Sequence, residues 1–159
     1  MVSNFKFKIS NSQRGITLIE IIVVVFIISL FSSIAFLNLP KIQGSFALNS
    51  AAYELAQNIR TAENNALSGV LSGNVSYTKS TDNNGISITD IYYYDNDRKK
   101  NEINQTNITF APPNPKITIT DGNGNEINGS EVDIVLSLDA DTTQTKTVSV
   151  NTSGLIQVR

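Results

Sequence analysis

Apolar and polar positions divide this chain into three zones. From Ile21 to Pro40 there are 20 consecutive residues without a charge, most of them Ile, Val, Leu and Phe. As an α-helix that run covers about 30 Å, the thickness of a bilayer's hydrocarbon layer. From Phe46 the pattern changes: Leu48, Ala52, Leu55, Ile59, Ala62 and Ala66 recur at three- and four-residue spacing, with Gln57, Arg60, Glu63 and Asn64 between them. That period predicts an amphipathic helix with one apolar face. Gly69 or Gly73 supplies its stop, and Pro40 and Gly44 are expected to bend or loosen the joint between the two helical parts.

After Gly73 the chain is rich in Asn, Thr, Ser and Gly, with alternating apolar residues, which predicts short antiparallel strands and turns. The candidate strands are Asn74–Lys79, Ile86–Tyr94, Asn107–Phe110, Lys116–Thr120, Val132–Leu138, Lys146–Asn151 and Leu155–Val158. The last two flank Thr152-Ser153-Gly154 and read as a hairpin with glycine at a positive-φ position. Asp95 to Asn107 reads as a long loop. A sheet laid on the apolar face of the amphipathic helix would bury both, so the fold class expected is α+β: a long N-terminal helix, membrane-spanning and then amphipathic, packed on an antiparallel β-sheet head. The segments are 1–15 as a leader, 16–40 as the apolar helix, 41–73 as its amphipathic continuation and 74–159 as the head. At 159 residues the chain has room for one modest globular core.

Charge changes the picture at the N-terminus. Lys6, Lys8 and Arg14 precede the apolar run with no acid among them, a flank that the positive-inside rule keeps in the cytoplasm. Glu20 then places a carboxylate just inside an otherwise uncharged helix, where it costs a few kcal/mol unless it is paired or functional. An ordinary secretory signal would end at a small-x-small site, and Ser33-Ile34-Ala35 imitates one. Cleavage there would release a soluble protein, whereas cleavage before the apolar run would retain the helix.

The segment Gly15-Ile16-Thr17-Leu18-Ile19-Glu20, with its basic leader and following apolar run, resembles the cleavage and methylation site of type IV pilins and type II secretion pseudopilins. The resemblance implies that a prepilin peptidase cuts between Gly15 and Ile16, that Ile16 becomes a methylated N-terminus, and that Glu20 pairs in the filament with the N-terminal amine of a neighbouring subunit. Ile16 stands where the family more often has Phe, and Leu37 where it usually has Pro. The stretch Arg60-Thr61-Ala62-Glu63 and the closing hairpin Thr147–Val158 further resemble GspH/FimT-type minor pseudopilins. The partners implied are prepilin peptidase, other pilin or pseudopilin subunits, an inner-membrane assembly platform, and membrane lipid before assembly. The location implied is the bacterial cytoplasmic membrane, with the N-terminus in and the head outside, followed by a periplasmic or cell-surface filament.

Little competing chemistry is visible. The chain has no His and no Cys, which removes the commonest general base, the commonest zinc ligand and any disulfide. No nucleophile elbow or phosphate-binding glycine loop follows a strand, so an enzyme is not expected. Asp121, Asn123 and Asn125 alternate like the first half of an EF-hand loop. However, Glu126 stands where that loop needs Gly and Val132 where it needs a bidentate acid, so calcium is a weak candidate and an Asn/Gly-rich turn the better reading. Removal of residues 1–15 takes three of the 12 basic residues and none of the 14 acids, leaving a side-chain charge of −5, which disfavours nucleic acid. Arg98-Lys99-Lys100 reads as a solvated loop and Arg159 as an isolated charge. Tyr92 and Tyr94 should share one face of a strand. A filament subunit and a membrane-tethered or exported binding domain are the two function classes left.

Overall fold

The computed structural model describes residues 15–69, 73–80, 85–112 and 116–159, with the backbone alone for residues 35–40. The basic leader carrying Lys6, Lys8 and Arg14 lies outside the described residues. The chain divides into two compact units, Met1–Pro40 and Lys41–Arg159.

A single helix, α1, is assigned from Leu18 to Leu67. The assigned helix runs through Pro40, which has no N–H to donate, and through Gly44, so neither ends the element. Gly44 has another use: a Cβ there would lie 2.8 Å from Leu138 Cδ1, so its small size admits a side chain of the head. The helix ends as expected. Ser68 and Gly69 donate to the carbonyls of Asn64 and Ala66, and Gly69 takes φ 71°, the left-handed stop that lacks a Cβ penalty.

In the first unit, the described side chains of α1 over 18–34 are exposed on all sides. Ser29 and Ser33 donate their hydroxyls to the carbonyls of Val25 and Ser29, at 2.7 and 2.9 Å, which satisfies them within the helix. Residues 16–40 were expected to cross a membrane. Among the described residues, however, no helix is long and apolar enough to do so. The stretch whose side chains are described, 18–34, rises only about 25 Å.

In the second unit, α1 buries Leu48, Ala52, Leu55, Ala56, Ile59, Ala62 and Ala66, the face its spacing predicts. Phe46, the expected start of that face, points to solvent and is 71% exposed. Among the described residues the head has eight strands: β1 (Gly73–Thr78), β2 (Ile86–Asp95), β3 (Lys100–Glu102), β4 (Gln105–Ala111), β5 (Lys116–Asp121), β6 (Gly129–Leu138), β7 (Asp141–Asn151) and β8 (Ile156–Val158). They form two antiparallel sheets rather than one, ordered β1-β4-β5 and β3-β2-β6-β7-β8. Strand β3 falls in the segment expected to be loop.

One apolar core joins the helix to both sheets. Ile108, Phe110, Ile117 and Ile119 come from the smaller sheet, and Ile91, Val132, Ile134, Leu136, Val148 and Val150 from the larger. Small residues set how closely the layers approach. At Gly73 a Cβ would fall 2.0 Å from the Ala62 carbonyl oxygen, so β1 begins in contact with the helix backbone. Arg60 reaches across to the Ile156 carbonyl at 3.3 Å.

Candidate processing and assembly site

Thr17 organises the start of α1. Its carbonyl accepts the N–H groups of Glu20 and Ile21 at 3.1 and 3.3 Å, and its Oγ1 accepts the Glu20 N–H at 3.3 Å. Thr17 is therefore the N-cap residue, and Thr17-Leu18-Ile19-Glu20 has the spacing of a capping box, with an acid three residues after the cap. Satisfying N–H groups here matters because, Glu20 apart, the residues of the first turn are apolar and offer no side-chain acceptor. Glu20 also brings negative charge to the positive end of the helix dipole. The pattern S/T-x-x-E was available in the sequence, and it identifies Thr17 as the capping residue that attention to Glu20 alone overlooks.

Gly15, Ile16 and Thr17 precede the helix and have no regular secondary structure. All are exposed, Ile16 at 71%, and a Cβ built on Gly15 would meet nothing within 4 Å. The Gly15–Ile16 bond thus lies in open backbone one residue before the cap. No contact within the described residues requires glycine at 15. By contrast, Ser33, Ile34 and Ala35, the alternative cleavage site, lie inside α1, with their backbone engaged in helical hydrogen bonds.

Comparison with known proteins adds one finding. The prokaryotic N-terminal methylation motif matches residues 10–36, a span that contains Gly15, Ile16, Thr17 and Glu20. The chain carries a prepilin-type N-terminus. No curated protein and no solved structure matches the chain. The motif covers the N-terminal part of the chain and does not reach the head.

The head's own candidates resolve into turns and ion pairs. Asp121 ends β5 and closes a hairpin turn: its Oδ1 accepts the N–H groups of Asn123 and Asn125 at 2.9 and 2.8 Å, and its Oδ2 accepts the Asn125 side-chain amide at 3.0 Å. These donors, the Asn125 amide foremost, hold the Asp121 carboxyl below the usual carboxylate range. Asn123 and Asn125 therefore face Asp121 as donors. Among the described residues no group of three or more acids converges on a point.

The same turn occurs three times. Asp95, Asp121 and Asn151 each end a strand and accept the backbone N–H two residues on, at 3.0, 2.9 and 2.8 Å. Each also accepts, through its carbonyl, the N–H of a residue in the left-handed region: Arg98 (φ 61°), Gly124 (φ 85°) and Gly154 (φ 92°). The N–H of each strand-ending residue returns to the carbonyl four residues on, at 3.1, 2.9 and 3.0 Å. This is a type I turn followed by a bulge residue, and two of the three bulge positions hold glycine. At Asp95 the Lys99 N–H, with Asn101 and Asp97, lowers the carboxyl's pKa in the same way.

Lys100 is not free in a loop. It sits on β3 with its Nζ 2.9 Å from Asp90 and 3.3 Å from Glu102, and 4.2 Å from the centroid of the Tyr92 ring. Lys79, which follows β1, is 2.8 Å from the other Asp90 oxygen, so Asp90 ties the two sheets together. Burial pushes the Asp90 carboxyl up, but the two ammonium groups outweigh it and leave the pKa lowered. Arg159 is likewise paired, with Glu131 at 3.1 Å. Tyr92 and Tyr94 share a face as expected, edge to face with centroids 5.7 Å apart. On the same face, Asp133 is buried and accepts a hydrogen bond from Ser149 on the adjacent strand.

Proposed function

We propose that this chain is a structural subunit of a type IV pilus-like or type II secretion pseudopilus filament, cut by prepilin peptidase between Gly15 and Ile16 and methylated at Ile16. The observation that carries the proposal is the methylation motif over residues 10–36, with its cleavage point in open backbone just ahead of a capped helix. Before assembly the N-terminal helix anchors the chain in the cytoplasmic membrane, with the head outside. After extraction the same helix packs among those of sister subunits. Apolar side chains exposed all around α1 over 18–34 favour such a cover, since water is a poor environment for a helix apolar on every face.

Cleavage creates an ammonium at Ile16, one residue before the cap, where it opposes the helix dipole. Glu20 supplies the compensating charge, and in an assembled helix core its partner is the Ile16 amine of a neighbouring subunit. Breaking one side of a buried pair costs about 3–5 kcal/mol, enough to set axial register. Within this class a GspH/FimT-type minor pseudopilin is favoured by the closing hairpin built from β7 and β8.

Intact mass and N-terminal fragmentation of the protein from membranes test the reading. A chain beginning at methylated Ile16 is expected, and one beginning after Ala35 would overturn it. Glu20→Ala should leave membrane association intact while reducing incorporation into filaments at least tenfold; unchanged incorporation refutes the pairing.

A further inference from the structure

Exposed large apolar side chains of the head include Tyr53, Leu67, Tyr94 and Leu155, and two more stand together beside a pair of lysines. Ile42 and Phe46 are 50% and 71% exposed and lie four residues apart, so they share one face of α1. They line an open concavity of about 490 Å³ together with Lys41, Ser45, Gln144 and Lys146. Lys41 comes from the first residue of the head unit and Lys146 from β7, so residues distant in sequence place two ammonium groups beside the same apolar pair. Hydrogen bonds from Thr143 and Gln144 hold the Asp141 carboxyl below the usual carboxylate range, and the Lys41 ammonium adds to that.

Lys41 is also the first charge after the 20 uncharged residues from Ile21 to Pro40. A membrane boundary is recognised chemically by this order: an uncharged run, then a cation whose stem can lie along apolar surface, then an aromatic residue. The mature chain carries a net negative side-chain charge and would be repelled by an anionic bilayer, so attraction to one needs a local group of cations such as these two lysines.

We propose that Lys41, Ile42, Phe46 and Lys146 form a seat for anionic phospholipid headgroups, which holds the head on the bilayer surface before assembly. Phe46 and Ile42 enter the boundary between headgroup and acyl chain, and the two ammonium groups take the phosphates. The proposal rests on the reading that the N-terminal helix anchors the chain in a membrane.

The chain has no tryptophan, so Phe46→Trp gives a single reporter in the full-length protein. The test uses vesicles of phosphatidylcholine, alone or mixed with phosphatidylglycerol, carrying lipids brominated just below the headgroup. Phe26→Trp, inside the apolar run, reports anchoring separately. Expected are blue-shifted, bromine-quenched emission from position 46 that is stronger with phosphatidylglycerol, and a fall of roughly fivefold in the ratio of seated to unseated heads for each of Lys41→Gln and Lys146→Gln. Quenching at position 26 with water-like emission at 46 overturns the seat and leaves the anchoring reading standing. Absence of quenching at both overturns the anchoring reading and the seat with it. Equal quenching at 46 in both lipid mixtures, unaffected by the lysine substitutions, refutes the role of anionic headgroups.

Discussion

The three matching turns form an internal experiment on backbone conformation. Gly124 and Gly154 occupy the left-handed bulge position in two of them, and Arg98, at φ 61°, occupies it in the third. A residue with a Cβ pays about 1–2 kcal/mol in that conformation. Arg98→Gly removes this cost, while the greater freedom of glycine in the unfolded chain takes back about 0.5–1 kcal/mol. The expected gain is therefore about 0.5–1 kcal/mol. For a head of this size that raises the midpoint of thermal unfolding by roughly 2–6 °C. Circular dichroism of the detergent-solubilised full-length protein can follow the transition. Lys99→Gly, one residue on and outside the left-handed region, serves as the control and should lower the midpoint. If Arg98→Gly lowers it as much as the control does, the three turns are not equivalent and the argument from their shared geometry fails.

Further outcomes follow from packing and titration. Gly73→Ala would drive a methyl to 2.0 Å from the Ala62 carbonyl oxygen, so β1 must move off the helix; we expect a loss of at least about 1–3 kcal/mol by urea unfolding, and wild-type stability would show that the contact yields freely. Asp90, Asp95, Asp121 and Asp141 all have lowered pKa values in the fold, so their contributions are present above the ordinary carboxylate range and are lost as pH falls from about 4 through the folded values. The urea midpoint should drop in that window, and Asp121→Asn should flatten the drop; an acid profile unchanged by the substitution would exclude the Asp121 turn as a source. Burial pushes the Tyr77 hydroxyl up to about 12, above its unfolded value, so stability should also decline as pH rises from about 10 toward 12. Tyr77→Phe should remove part of that alkaline decline, and an identical profile would refute the assignment.

Much of the fold was legible because one-sided burial imposes a period. Leu48, Ala52, Leu55, Ile59, Ala62 and Ala66 all point into the core, and every expected strand exists within a few residues of its assigned ends. Phe46 misled because its spacing matches that face although the sheets do not extend over it. Strand β3 was hidden because Lys100-Asn101-Glu102 has no apolar alternation and is held instead by pairing with Tyr92–Tyr94 and by the Asp90 charge cluster. The division into two sheets was equally invisible, since strand order depends on contacts far apart in sequence. At the N-terminus, Gly15, Ile16 and Glu20 lie within the matched methylation motif, and the structure adds Thr17 as the group that caps the helix.

The repeated turn also fixes which side chains the head leaves uncommitted. In each copy the residue two after the strand end, Asp97, Asn123 or Ser153, contributes its backbone N–H to the turn while its side chain stands in solvent. The chain contains no cysteine, so a thiol introduced at any of these three places would be unique and would disturb no packing. A spin label or fluorophore attached there would move with a rigid hairpin rather than a floppy tail. In a filament of the proposed kind, distances measured between such labels on successive subunits would report its rise and rotation.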